Sequence, residues 1–236
     1  MHCQMQLTRK LIISAILSTF WVSLFDDIKF DSLILPNEKS LTMKLAKQTF
    51  SNKNLNSKIA ISVHVTASDI NKALNFSKHI LERINSQRPA KKYKFVNLDS
   101  EILECNNLSS DPFFSSQCIS KKIARYILKH RKVFFLFSLF STPFDSVSFL
   151  ISVFDDTAPA LMYTRKGFFG DEKSKNLKVR NCIFVMISEQ KSKIFQNFSE
   201  NIKETVISKQ MLSFEKENGI SERFSHRIIG RIPIFD

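Results

Sequence analysis

The chain alternates between short apolar runs and longer stretches where apolar residues recur every three or four positions. Ile59, Ala60, Ile61, Val63 and Val65 form a β-branched run that predicts a strand buried on both faces. Thr66-Ala67-Ser68-Asp69 follows as a helix-start signature. Ile70, Ala73, Leu74, Ser77, Leu81 and Ile84 then share one stripe, which predicts a helix to about Asn85. KYKFVNL (92–98) reads as a second strand and residues 99–115 as a loop. Ile119, Ile123, Tyr126 and Ile127 mark a second amphipathic helix ending near His130. VFFLFSLF (133–140) and NCIFVMIS (181–188) are the third and fourth strands. Ile194, Phe198, Ile202 and Val206 stripe a later helix from Lys191 to about Lys209. Strands alternating with helices predict an α/β fold with a mainly parallel sheet.

The first 57 residues have a different pattern. Arg9-Lys10 precede an uncharged run at 11–25, and Asp26-Asp27 close it. Fifteen helical residues reach only about 22 Å, against a bilayer core of about 30 Å. That length suits a signal peptide. However, no A-x-A-like cleavage site ends the run, and Leu7 extends it with Arg9 and Lys10 snorkelling. The expectation is an uncleaved signal anchor. It divides the chain into a short cytosolic tail (1–10), a transmembrane segment (11–25), a polar stalk (26–57) and a luminal domain (58–236). Three N-x-S sequons, at Asn75, Asn107 and Asn197, are candidate glycosylation sites in a lumen. Cys105 and Cys118 bracket a Ser-rich stretch and are the candidate disulfide pair, with free thiols as the alternative. Cys3 would face the cytosol.

Net charge is +13, yet the Lys and Arg are dispersed and no nucleic-acid motif appears. A solvated basic surface is the expectation, with no nucleic-acid partner. Only 4 glycines occur, which leaves few residues for phosphate-cradling loops. The turn after the first strand, HVTASDINK, has no glycine and carries Asp69, so a P-loop is absent. FLISVFDD (149–156) resembles a Walker B strand, with Asp155 and Asp156 as Mg²⁺ ligands. Val147, Leu150, Ile151 and Phe154 instead fall on one helical face. The strand at 133–140 ends in Ser138, Leu139 and Phe140, with no acid. His64, His130 and His226 are too scattered for a local ligand set, and no C-x-x-C, G-x-S-x-G or H-E-x-x-H occurs. No cofactor or metal is expected.

Taken in order, VHVTASDINKALNFSKHI, KYKFVNLDS, NCIFVMISEQ and FSHRIIGRIPIF resemble the luminal domain of torsin activators, the lamina-associated polypeptide 1 type of torsin-interacting protein. The resemblance covers about three-quarters of the chain and is most specific in the last segment. It implies a degenerate AAA+-like large domain without a nucleotide site. It also implies a type II protein of the endoplasmic reticulum or nuclear envelope that does no chemistry alone. Such a domain docks beside an ATP-loaded, torsin-like AAA+ ATPase and donates an arginine finger in trans. The resemblance makes Arg227 the first candidate finger; the spacing from Arg227 to Pro233 is one residue shorter than the family's, which keeps Arg231 as the second. The rival expectations are a self-sufficient divergent NTPase, and a secreted or membrane-tethered basic binding protein unrelated to torsins.

Overall fold

The computed structural model describes residues 40–57, 59–140, 144–155, 157–166, 172–190 and 204–234. Its centre is a parallel five-stranded sheet: β1 (Ile61–Ala67), β2 (Lys94–Asn97), β3 (Val133–Ser138), β6 (Cys182–Glu189) and β7 (Gly230–Pro233). The spatial order is β2-β3-β6-β1-β7. In register, Val63 lies beside Val185 and Gly230, and His64 beside Met186 and Arg231. β3, rich in Phe, is buried because it lies between β2 and β6 and is covered on both faces.

Helices cover both faces. On one face, α1 (Ser40–Thr49), α2 (Asn52–Leu55) and α3 (Ile70–Gln87) pack on Ile61, Val63, Val65, Phe134, Leu136, Ile183 and Val185. On the other lie α4 (Asp99–Leu108), α5 (Pro112–Lys129), α6 (Phe144–Val147), α7 (Leu150–Val153) and α9 (Glu222–Ser225). The antiparallel hairpin β4 (Ala160–Lys166) and β5 (Glu172–Lys178) joins this layer through Leu161. The remaining helix, α8 (Glu204–Glu217), reaches the sheet at β7 and buries Ile207, Met211 and Glu215.

Four expectations need correction or restriction. First, residues 40–57 are not part of a stalk. Their composition is polar, but Ala46, Phe50 and Leu55 are buried in the core, and the Thr42 hydroxyl donates to the Pro233 carbonyl at 2.8 Å. Second, residues 99–115 are mostly helical rather than loop. Asp111 caps α5 by accepting from the Phe113 amide, and Pro112 suits the first helical position. Third, the Val147–Phe154 pattern is helical as expected but is split, with Val147 ending α6 and Leu150 and Ile151 in α7. Fourth, the later helix is described only as α8, so Ile194, Phe198, Ile202 and Asn197 lie outside the described residues. The expected membrane segment, 11–25, also lies outside them. No described helix is long and apolar enough to cross a membrane.

Candidate functional site

In open parallel sheets, ligands gather beyond the carboxyl ends of the strands, where successive connections leave in opposite directions. Here that place lies between β1, whose chain leaves toward β2, and β6, whose chain leaves toward β7. The start of α3 opens there. Its Asp69 backbone is extended, and its carboxylate accepts the Asn71 amide at 2.8 Å. A helix N-terminus attracts anions because its first amides are unpaired. Asp69 supplies that anion from the protein itself, so a phosphate would meet both a filled cap and a like charge. β3 ends without an acid. Its Ser138 amide and hydroxyl instead bind Asp99 at 2.7 and 3.0 Å.

The segment singled out at the C-terminus folds as α9, a turn and β7. The Ser221 hydroxyl caps α9 by accepting from the Phe224 amide. Arg227 sits in the turn, at the amino end of the sheet. Its Nη2 donates to Asp155 Oδ2 at 3.0 Å and its Nη1 to the Arg223 carbonyl at 3.1 Å. Its Nε is buried without a partner among the described residues. The Arg227 side chain keeps 23% of its surface exposed. Asp155 is held well below the usual carboxylate range. The Thr157 hydroxyl contributes most, followed by the Ala158 and Thr157 amides and then Arg227. The ion pair therefore stays charged at neutral pH. All four contacts leave Asp155 engaged inside the protein, and it follows a helix rather than ending a strand. Asp156 lies outside the described residues.

Arg231 differs sharply. It projects from β7 on the same face as His64, its neighbour in register. Nε and Nη2 fork onto Glu215 Oε1 and Oε2 at 3.1 and 3.0 Å. Nη2 also donates to the Ser225 carbonyl at 2.5 Å, and Nη1 to the Ile228 carbonyl at 3.3 Å. Its side chain is only 10% exposed. A guanidinium anchored in this way is not free to reach another molecule.

Glu215 links Arg231 to a second group. His64 Nδ1 lies 2.7 Å from Glu215 Oε1, and His64 Nε2 lies 2.8 Å from the Ser188 hydroxyl. Burial pushes the Glu215 carboxyl up, but hydrogen bonds and charge from His64, then Arg231, more than reverse this and hold it below its ordinary value. Ser–His–Glu contacts at these distances have the geometry of a nucleophile relay. Ser188 is 2% exposed and His64 0%, and the Phe140 ring lies edge-on against the imidazole. No substrate reaches the hydroxyl through this packing, so the group is a polar seam between sheet and helix.

No protein-family model matches the chain. A search of curated proteins also finds no match.

Arg227, Arg231 and Asp155 stand out in the sequence, whereas Glu215, Ser188 and Ser62 do not. One local signal pointed to the seam. Ser62, His64 and Thr66 alternate with Ile61, Val63 and Val65 in a strand that is buried throughout. The other candidates are distributed as follows. Cys105 and Cys118 are joined by a disulfide that ties α4 to α5. Asn75 is exposed on α3 and Asn107 is exposed in the last turn of α4. Cys182 is a buried free thiol that burial pushes up to about 12, which leaves it unreactive. Among the described residues, no cluster of His, Cys, Asp and Glu gathers to hold a metal.

Proposed function

We propose that this chain is a non-catalytic cofactor that docks beside an ATP-loaded, torsin-like AAA+ ATPase and supplies Arg227 in trans as an arginine finger. It does so from the lumen of the endoplasmic reticulum or nuclear envelope, held to the membrane through residues 11–25. The observation that carries this reading is the contrast between the two arginines. Arg231 is forked onto a buried carboxylate, whereas Arg227 stands part-exposed in the helix–strand turn before β7, its Nε without a partner among the described residues. The parallel central sheet covered by helices on both faces is in keeping with the AAA+-like fold that the resemblance implies. The Asp69 cap supports it too, because a domain with its own phosphate position filled has no nucleotide of its own to serve.

The chemistry follows from charge. Phosphoryl transfer spreads negative charge over the γ-phosphate oxygens, and a fixed guanidinium stabilises it, by about 10³- to 10⁵-fold in rate when supplied in trans. On docking, Arg227 exchanges Asp155 for phosphate oxygens. Arginine suits the exchange because it is always charged and binds two oxygens at once.

The test is the ATPase rate of a torsin-like enzyme with and without the full chain. Stimulation is expected with wild type and is abolished by Arg227→Ala. Failure of wild type to stimulate, or full stimulation by Arg227→Ala, overturns the reading.

A further inference from the structure

We infer that Arg231 and Ser62 are positioning groups for Arg227, and that the buried seam behind them exists to hold the turn that carries it. The inference rests on the donor role of Arg227 for its functional meaning, but its geometry stands alone. The turn is tied at its main chain from both sides. Arg231 donates to the Ser225 carbonyl, two residues before Arg227, and to the Ile228 carbonyl, one residue after it. The Ser62 hydroxyl donates to the Arg227 carbonyl itself at 2.6 Å, and Ser62 accepts the Ile229 amide through its carbonyl at 2.9 Å and its hydroxyl at 3.1 Å. Main-chain groups of four residues, Ser225, Arg227, Ile228 and Ile229, are thus anchored around one side chain.

Arg231 can act as an anchor only because it is itself held. Glu215 takes two of its N–H groups, His64 holds Glu215, and Ser188 holds His64. The support runs from β6 through β1 and α8 to β7, so the turn is referenced to the rigid sheet. An arginine is required at 231. Its planar fork meets a carboxylate with two groups and still has N–H donors for two carbonyls, whereas a lysine ammonium has three donors on one atom. Precise placement matters because a misplacement of about 1 Å can cost about 100-fold in rate.

The experiment uses the full chain as wild type, Ser62→Ala, Arg231→Lys, Arg227→Ala and the Ser62→Ala/Arg227→Ala double variant. Each is measured for stimulated kcat, the concentration giving half-maximal stimulation of a torsin-like ATPase, melting temperature, and native-state hydrogen exchange at the 226–229 amides. Expected for Ser62→Ala is a fall in kcat of about 10- to 100-fold, with little change in half-maximal concentration or melting temperature. Exchange at the 226–229 amides accelerates, and the double variant stimulates no less than Arg227→Ala alone. Should Arg231→Lys fail to fold, Ser62→Ala, which removes one hydroxyl, carries the test. Wild-type kcat and wild-type exchange in Ser62→Ala overturn the inference. If Arg227→Ala stimulates fully, the donor reading fails and the anchors are judged on exchange alone. Accelerated exchange then upholds them, and unchanged exchange overturns them.

Discussion

Replacing Glu215 by leucine should be among the most damaging single changes in this protein. The Glu215 carboxylate is fully buried and accepts from His64 at 2.7 Å and from Arg231 at 3.0 and 3.1 Å. Leucine fills similar volume but leaves the Arg231 guanidinium without its counter-ion inside the protein. Breaking one side of a buried ion pair costs about 3–5 kcal/mol. Whole-domain stability is about 5–15 kcal/mol, so a large share is lost. At about 2–4 °C per kcal/mol for a domain of this size, the melting temperature falls by about 6–20 °C. Arg231→Met should also be costly, since it leaves the buried carboxylate with His64 as its one remaining side-chain partner among the described residues. The double variant Glu215→Leu/Arg231→Met removes both charges together and should cost at least about 2 kcal/mol less than the sum of the single changes. Urea unfolding of the four proteins, with equal slopes confirming a common transition, gives the comparison. Additivity within about 0.5 kcal/mol would falsify the coupled seam.

Acidification should probe the same carboxylate. Its folded-state value is depressed, so its contribution is present above the ordinary Glu range near about 4.3 and lost as pH falls through the folded value. The urea midpoint should therefore hold between pH 7 and about 5, decline below about 4, and decline less steeply in Glu215→Leu. A midpoint that rises on acidification contradicts this. Gly230→Ala should cost about 1–3 kcal/mol by overpacking, because an added Cβ lies 2.5 Å from Thr49 Oγ1 and 3.0 Å from its Cβ. Thr49→Ala should recover part of the loss, and an unchanged urea midpoint in Gly230→Ala would refute the close approach. Breaking the Cys105–Cys118 link, with its separation of 13 residues, removes a loop constraint worth about 3 kcal/mol. Reductant should lower the melting temperature of wild type but not of the Cys105→Ser/Cys118→Ser protein. A wild type indifferent to reductant argues that the thiols are not joined.

The sheet was legible because its strands bury both faces. β3 and β6 are almost uninterrupted apolar runs, β1 sets Ile61, Val63 and Val65 on one face, and the stripes of α3 and α5 have the helical period. What escaped sequence reading is mostly exposed or polar. β5 carries Lys173, Lys175 and Lys178 with only Leu177 turned to the core, so no apolar signal marks it. α4 buries just Ile102 and Cys105 within a polar sequence. α1, α2 and the turn between them contribute Ala46, Phe50 and Leu55 at spacings that are diluted by Lys and Asn. The site was legible only in part, for a different reason. Arg227 belongs to a segment distinctive in itself, but His64 and Glu215 lie 151 positions apart, and no local pattern links residues so distant. Arg231 stands second to Arg227 along the chain, and nothing local to it announces the carboxylate, sixteen positions away, that anchors it.

The lateral edge of the sheet has a consequence for handling the protein. β7 is the last strand of its row, and an open strand edge is a template for pairing with other molecules. α1 lies along this edge, with Thr42 against the Pro233 carbonyl and Thr49 facing Gly230, and Pro233 has no N–H to offer. A fragment begun at residue 58 would strip that cover and expose the apolar flank of Phe50 and Leu55 contacts beside it. Such a fragment should aggregate on expression, while one begun at Ser40 should stay monodisperse. The seemingly spare polar residues ahead of the first strand are thus the shield of an otherwise open sheet edge.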